Sequence, residues 1–82
     1  MTENVENRLR DYILDNYGKD IEDPKTELKD YLNLDSLDIV EMTLDIEELF
    51  DIEIKDEEFE NTHTFEELLE LIESKLEEGS YE

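Results

Sequence analysis

At 82 residues the chain is long enough for one small core and too short for two, so a single domain over 1–82 is expected. Hydrophobic residues make up 37% of it and charged residues 43%, so the core is small and most side chains face water. A net charge of −21 repels phosphate backbones and anionic headgroups, which excludes nucleic acid and membrane surfaces as partners and favours a basic patch on another protein.

Val5, Leu9, Tyr12, Ile13 and Tyr17 recur at helical spacing from Asn4 onward, and Gly18 suits the stop of this first helix. Lys19 to Lys29 mixes charges with Pro24, so a loop longer than a compact bundle needs is predicted, with Ile21 and Leu28 dipping into the core. Asn33 tolerates positive φ and can make the bend into a second helix from Ser36 to Phe50. Asp35 can cap that helix, and Asp38 faces the positive end of its dipole. Ile52-Glu53-Ile54 alternates like a strand but has no partner strand in the chain, and is read as a buried connector. Asp56 to Glu60, around Phe59, suits one helical turn. Thr64-Phe65-Glu66-Glu67 matches a capping box that opens a last helix with Phe65, Leu68, Leu69, Ile72 and Leu76 on one face. Gly79-Ser80 ends it, and a frayed tail is expected over about 77–82.

The second helix has two apolar faces. Ile39, Met42, Ile46, Leu49 and Phe50 form one broad stripe suited to a core. Leu37, Val40 and Leu44 form another on nearly the opposite side, bordered by Glu41, Glu47 and Glu48. One core cannot bury both stripes. An apolar row framed by carboxylates suits docking, the row for affinity and the rim for steering, and Ser36 lies beside it. The acids concentrate in the same region: residues 35 to 74 hold sixteen of them against Lys55 alone.

The run Leu32-Asn33-Leu34-Asp35-Ser36-Leu37-Asp38-Ile39-Val40-Glu41-Met42, followed by Glu47-Glu48-Leu49-Phe50 and Ile52-Glu53-Ile54, resembles the acyl carrier protein family across nearly the whole chain. The resemblance implies an all-α fold, a small four-helix bundle of three long helices and one short, with the long first loop packed across it. It implies 4′-phosphopantetheine as a covalent cofactor, moved from coenzyme A onto Ser36 by a phosphopantetheinyl transferase. Asp35 then corresponds to the acid that assists the metal in that transfer. Glu41, Glu47 and Glu48, with Asp38 at the rim, match positions that meet basic patches on acyl-processing enzymes, and Leu37, Val40 and Leu44 match the apolar contacts there. The process expected is fatty acid biosynthesis, with a specialised acyl or aminoacyl pathway as the alternative. Two departures bear on cargo: Phe59 and Thr62 stand where fatty-acid carriers often have, respectively, a smaller residue and an aliphatic one, and Phe59 is expected to fill the room an acyl chain would need.

The residues make chemical sense of that expectation. The chain has no cysteine, so any thiol it uses must be borrowed, and an arm ending in a thiol supplies one. No catalytic machinery is apparent: His63 is the one histidine, far from Ser36 in sequence, and reads as a surface loop residue. A carrier rather than an enzyme is therefore expected. An acidic adaptor protein without an arm is the main rival. A calcium-binding loop needs a glycine at its sixth position, and the only glycines are Gly18 and Gly79. Met1-Thr2-Glu3-Asn4 lacks the basic start of a signal peptide and no apolar run approaches the ~20 residues of a membrane span, so a cytoplasmic monomer is the expectation.

Overall fold

A computed structural model describes residues 3–79, with side chains from 5 to 77. The helices are α1 (Glu3–Tyr17), α2 (Leu28–Tyr31), α3 (Ser36–Phe50), α4 (Asp56–Glu60) and α5 (Phe65–Gly79). The bundle is all-α, as expected, and α2 is an addition within the long first loop. Of the frayed tail expected over 77–82, residues 80–82 lie outside the described residues.

Helix α1 buries Val5, Leu9 and Ile13, one residue per turn, and Gly18 takes φ +70 while its N–H bonds the Leu14 carbonyl at 2.9 Å. α3 contributes Met42, Ile46 and Phe50 to the same core, with Ile39 and Leu49 half-buried at its edges. From α5 come Phe65, Leu68 and Ile72, with Leu69 and Leu76 half-buried. These are the core stripes predicted from spacing.

The long first loop is a strap rather than a spacer. Ile21 and Leu28 are buried, as predicted, and the backbone between them serves the start of α5. The Phe65 N–H bonds the Thr26 carbonyl at 3.0 Å, the Glu66 N–H bonds the Pro24 carbonyl at 2.8 Å, and the Leu28 N–H bonds the His63 carbonyl at 2.9 Å. The Thr64 Oγ1 accepts from the Glu67 N–H at 3.1 Å, completing the predicted capping box. The first N–H groups of a helix have no partner within it, and here the strap and the cap supply them. α2 forms because Leu28 and Leu32, one turn apart, both enter the core; the polar residues between them give no helical signal of their own. The expectation of plain loop through Lys29 is corrected accordingly.

The few cations tie elements together. Arg8 of α1 donates to the Leu49 carbonyl of α3 at 2.6 Å, and its guanidinium sits 4.8 Å from the centre of the Phe50 ring. Lys75 of α5 pairs with Glu58 of α4 at 2.8 Å. Lys29 of α2 reaches the Glu60 carbonyl of α4 at 3.5 Å, and Lys25 lies 3.8 Å from Glu66. The excess acids are left to face solvent.

Candidate functional site

The bend before α3 is made by Asn33 at φ +56, as its residue type predicts, with the Leu34 N–H bonded to the Lys29 carbonyl at 2.9 Å. Asp35 is then the N-cap: its Oδ1 accepts from the Asp38 N–H at 2.8 Å, while Asp38 Oδ2 accepts from the Asp35 N–H at 3.3 Å. The two acids therefore lock each other in a reciprocal box. The role of Asp38 in that box was not legible from spacing alone, because the sequence signature expects a longer Glu or Gln three residues after the cap.

Ser36 occupies the first helical position, exposed, and no hydrogen bond to its hydroxyl is found among the described residues. The cap thus holds the backbone without using the serine side chain. The second apolar stripe is open to water: Leu37 is 65% exposed, Val40 54% and Leu44 56%.

The bordering acids divide into two kinds. Glu41 and Glu48 are exposed. Glu47 is half-buried, and its Oε2 accepts from the Ile54 N–H at 2.7 Å, pinning the 52–55 connector to α3. Asp51 reverses the chain there at φ +57, so that buried Ile54 lies back against the core. The connector was predicted; its tether was not, because no local pattern links Glu47 to Ile54.

Beside Ser36 lies a cavity of about 240 Å³ between α3 and α4. Ser36, Ile39, Val40 and Thr43 line it from α3, and Asp56, Phe59 and Glu60 from α4. Thr43 is buried with its hydroxyl satisfied by the Ile39 carbonyl at 2.8 Å, so it presents little unpaired polarity. Phe59 is buried at the expected place, yet it leaves this space open instead of filling it. Thr62 is buried too, and its hydroxyl bonds the Glu58 carbonyl at 2.9 Å. Asp56 and Glu60 were not singled out from the sequence; only the approach of α4 to α3 brings them to the cavity.

α4 is held from behind. Glu58 accepts from the Lys55 N–H at 2.9 Å as well as from Lys75, and these contacts, Lys75 first, hold its carboxyl below the usual carboxylate range. His63 is exposed and lies outside the cavity; its backbone N–H bonds Glu67 Oε1 at 2.7 Å. Across the bundle, Tyr12 donates to Asp45 Oδ2 at 2.7 Å, and burial pushes the Tyr12 hydroxyl well above its ordinary range.

The family pattern described as a phosphopantetheine attachment site matches residues 7–72. An acyl carrier protein from an Exiguobacterium strain is 37% identical over 70 residues, covering 83% of this chain and 89% of its own. The crystal structure of an acyl carrier protein from Thermotoga maritima superposes with a TM-score of 0.75 at 26% identity, covering 94% of this chain and 92% of its own. Most of the chain, including Ser36, the paired acids and both faces of α3, lies within the matched span, and the chain belongs to the acyl carrier protein family, the carriers that bear phosphopantetheine.

Proposed function

We propose that Ser36 bears the 4′-phosphopantetheine arm, and that the chain holds acyl intermediates on it as thioesters for the enzymes of fatty acid biosynthesis. The observation that carries this reading is an exposed serine, its hydroxyl without a hydrogen bond among the described residues, at the first position of a capped helix, beside an apolar cavity and an exposed apolar row. The residues present fit the group. A phosphodiester at Ser36 lies at the helix N-terminus, where the dipole and unpartnered N–H groups favour an anion. When attached, the arm supplies the thiol that the chain lacks.

In the loading step the Ser36 Oγ forms a bond to phosphorus as the pyrophosphate bond of coenzyme A breaks. The nucleotide half leaves, and the hydroxyl proton passes to the transferase. Asp35, the residue before Ser36 and fixed by the cap, can assist the transferase's metal. Leu37, Val40 and Leu44 supply apolar docking contacts, and Glu41 and Glu48 steer basic partners. Asp38 and Glu47 add charge to that face while also holding backbone. In this reading the protein is a non-catalytic, cytoplasmic monomer, and no helix among the described residues is long and apolar enough to cross a membrane.

Incubation with coenzyme A and a phosphopantetheinyl transferase, followed by intact mass, tests the attachment. One arm is expected on the native chain and none on Ser36→Ala, whose melting temperature stays within a few degrees because Asp35 still caps the helix. An arm on the Ser36→Ala variant would place the attachment elsewhere; no arm on either would favour an acidic adaptor. Thioester identification on protein isolated from its native cell separates fatty acyl cargo from another acyl or aminoacyl group.

A further inference from the structure

α1 and α3 enclose an open groove of about 430 Å³, lined by Tyr12 and Asn16 from α1 and by Asp45, Glu48 and Leu49 from α3. Around the α3 axis, Ser36 and Thr43 flank the exposed apolar row on one side, and Asp45 and Glu48 flank it on the other. The groove is therefore separate from the cavity beside Ser36. Its walls combine an aromatic ring and half-buried Leu49 with two exposed acids. The Tyr12 hydroxyl donates to Asp45 Oδ2 at 2.7 Å, which fixes that carboxylate and leaves its other oxygen open. Asn16 commits its amide group to the Tyr12 carbonyl at 2.9 Å, so its side-chain oxygen is left to accept. Tyr17 braces the Tyr12 ring edge-on, with centroids 6.3 Å apart and planes at 76°. Neither Asp45 nor Glu48 is ion-paired among the described residues, and Arg8, one turn before Tyr12, is already held by the Leu49 carbonyl and the Phe50 ring. The groove thus offers an aromatic wall and spare acceptors.

We propose that this groove receives an arginine side chain of a partner protein, anchoring it on the α1 side of α3. Tyr12, Asn16 and Asp45 lie outside the docking set that the family resemblance implies. A guanidinium is planar, stacks on aromatic rings, forks onto carboxylates and is more weakly hydrated than an ammonium, so it suits a braced ring beside a fixed acid better than lysine does. Charge complementarity favours such a cation, since the chain carries −21 and residues 35 to 74 hold sixteen acids against Lys55 alone. The source is a protein because the groove and the apolar row are continuous: Glu48 lies one turn beyond Leu44, so a segment resting on the row reaches the groove with a neighbouring side chain. The inference rests on the reading of α3 as a docking face, and it does not depend on the arm at Ser36.

Titration of the isotope-labelled full chain with short capped peptides, followed by amide NMR, tests this. Ala-Arg-Ala is expected to shift the amides around Tyr12, Asn16, Asp45 and Glu48 and to bind roughly threefold or more tighter than Ala-Lys-Ala at equal ionic strength. Tyr12→Leu should remove that preference, and Asp45→Asn should weaken arginine binding about fivefold. Asp45 is exposed, so its variant keeps the test valid if Tyr12→Leu does not fold. Ala-Arg-Leu-Leu, which reaches the row as well, should bind about threefold or more tighter than Ala-Arg-Ala, and Leu44→Ala should abolish only that gain. Equal binding of the arginine and lysine peptides, or shifts spread over all the acids of α3, overturns the inference as general attraction of cations. A preference for arginine without any gain from the leucines overturns the assignment to a partner protein. Ser36→Ala is expected to bind every peptide as the native chain does, so failure of arm attachment by mass leaves this inference standing, and failure here leaves the attachment reading standing.

Discussion

Arg8 should matter more to stability than Arg10, which provides the control. α3 ends without a basic residue in its last turn, so its terminal carbonyls depend on help from elsewhere. Arg8 gives it from α1, through the 2.6 Å bond to the Leu49 carbonyl and the guanidinium over Phe50. A hydrogen bond from a charged group is worth roughly 1.5–3 kcal/mol and an exposed cation–π contact about 0.5–1 kcal/mol. Arg8 is exposed, so solvent screening takes away a large part, and ~1–2 kcal/mol is the net expectation for Arg8→Met. Arg10 sits farther from its ring, 5.9 Å from the centre of Phe65, and its ion pair with Glu6 is a half-exposed contact at 3.6 Å. Arg10→Met should therefore cost no more than about 0.5 kcal/mol beyond the loss of one positive charge. Both variants make the chain more negative by the same amount, so general repulsion cancels in the comparison. Urea denaturation followed by circular dichroism, at low and high salt, is the assay, because urea leaves ionic strength unchanged. Arg8→Met should lie about 1 kcal/mol below Arg10→Met at both salt concentrations, roughly 4–8 °C in melting temperature. Equal stabilities, or a difference that vanishes in salt, would refute the assignment of a specific tie to Arg8.

The acids along α3 should separate by stability: Glu47→Ala leaves the Ile54 N–H without its partner and costs about 1–2 kcal/mol, whereas Glu48→Ala is neutral or slightly stabilising, as thermal melts would report. The Glu58 carboxyl sits below its ordinary value of 4.5 in the folded protein, chiefly through Lys75. Its contribution is therefore full above that pH and is lost as pH falls through the lower folded value. The melting-temperature gap between the native chain and Glu58→Gln should accordingly be widest near neutrality and close in acid; a gap constant from about pH 7 to pH 3 would dissociate it from that carboxyl. Millimolar magnesium at neutral pH should raise the melting temperature by screening sixteen acids that face one lysine between residues 35 and 74, and indifference to magnesium would show those charges to be well separated.

What could be read from the sequence is what short-range physics governs. The stripes of α1, α3 and α5 follow from a 3.6-residue period, and the burial of Leu9, Ile13, Met42, Ile46, Leu68 and Ile72 agrees with it. Asn33 at positive φ, Asp35 at the N-cap and Thr64 in its box are properties of residue type over three or four positions. That one core could not take Leu37, Val40 and Leu44 as well followed from geometry, and only the tertiary structure decided that Leu37 is left in solvent with the other two and not covered by the long loop. Other features required the chain to meet itself. α2 exists because the core accepts Leu28 and Leu32 together, against weak local propensity. The strap's carbonyls at Pro24 and Thr26 find the N–H groups of α5 some forty residues away. Glu47, indistinguishable in sequence from Glu48 beside it, becomes a structural acceptor because Asp51 turns Ile54 back towards it. The cavity next to Ser36 depends on how α4 sits against α3, where buried Phe59 and the contacts of Lys29 and Lys75 hold it, and no periodicity along the chain encodes those contacts.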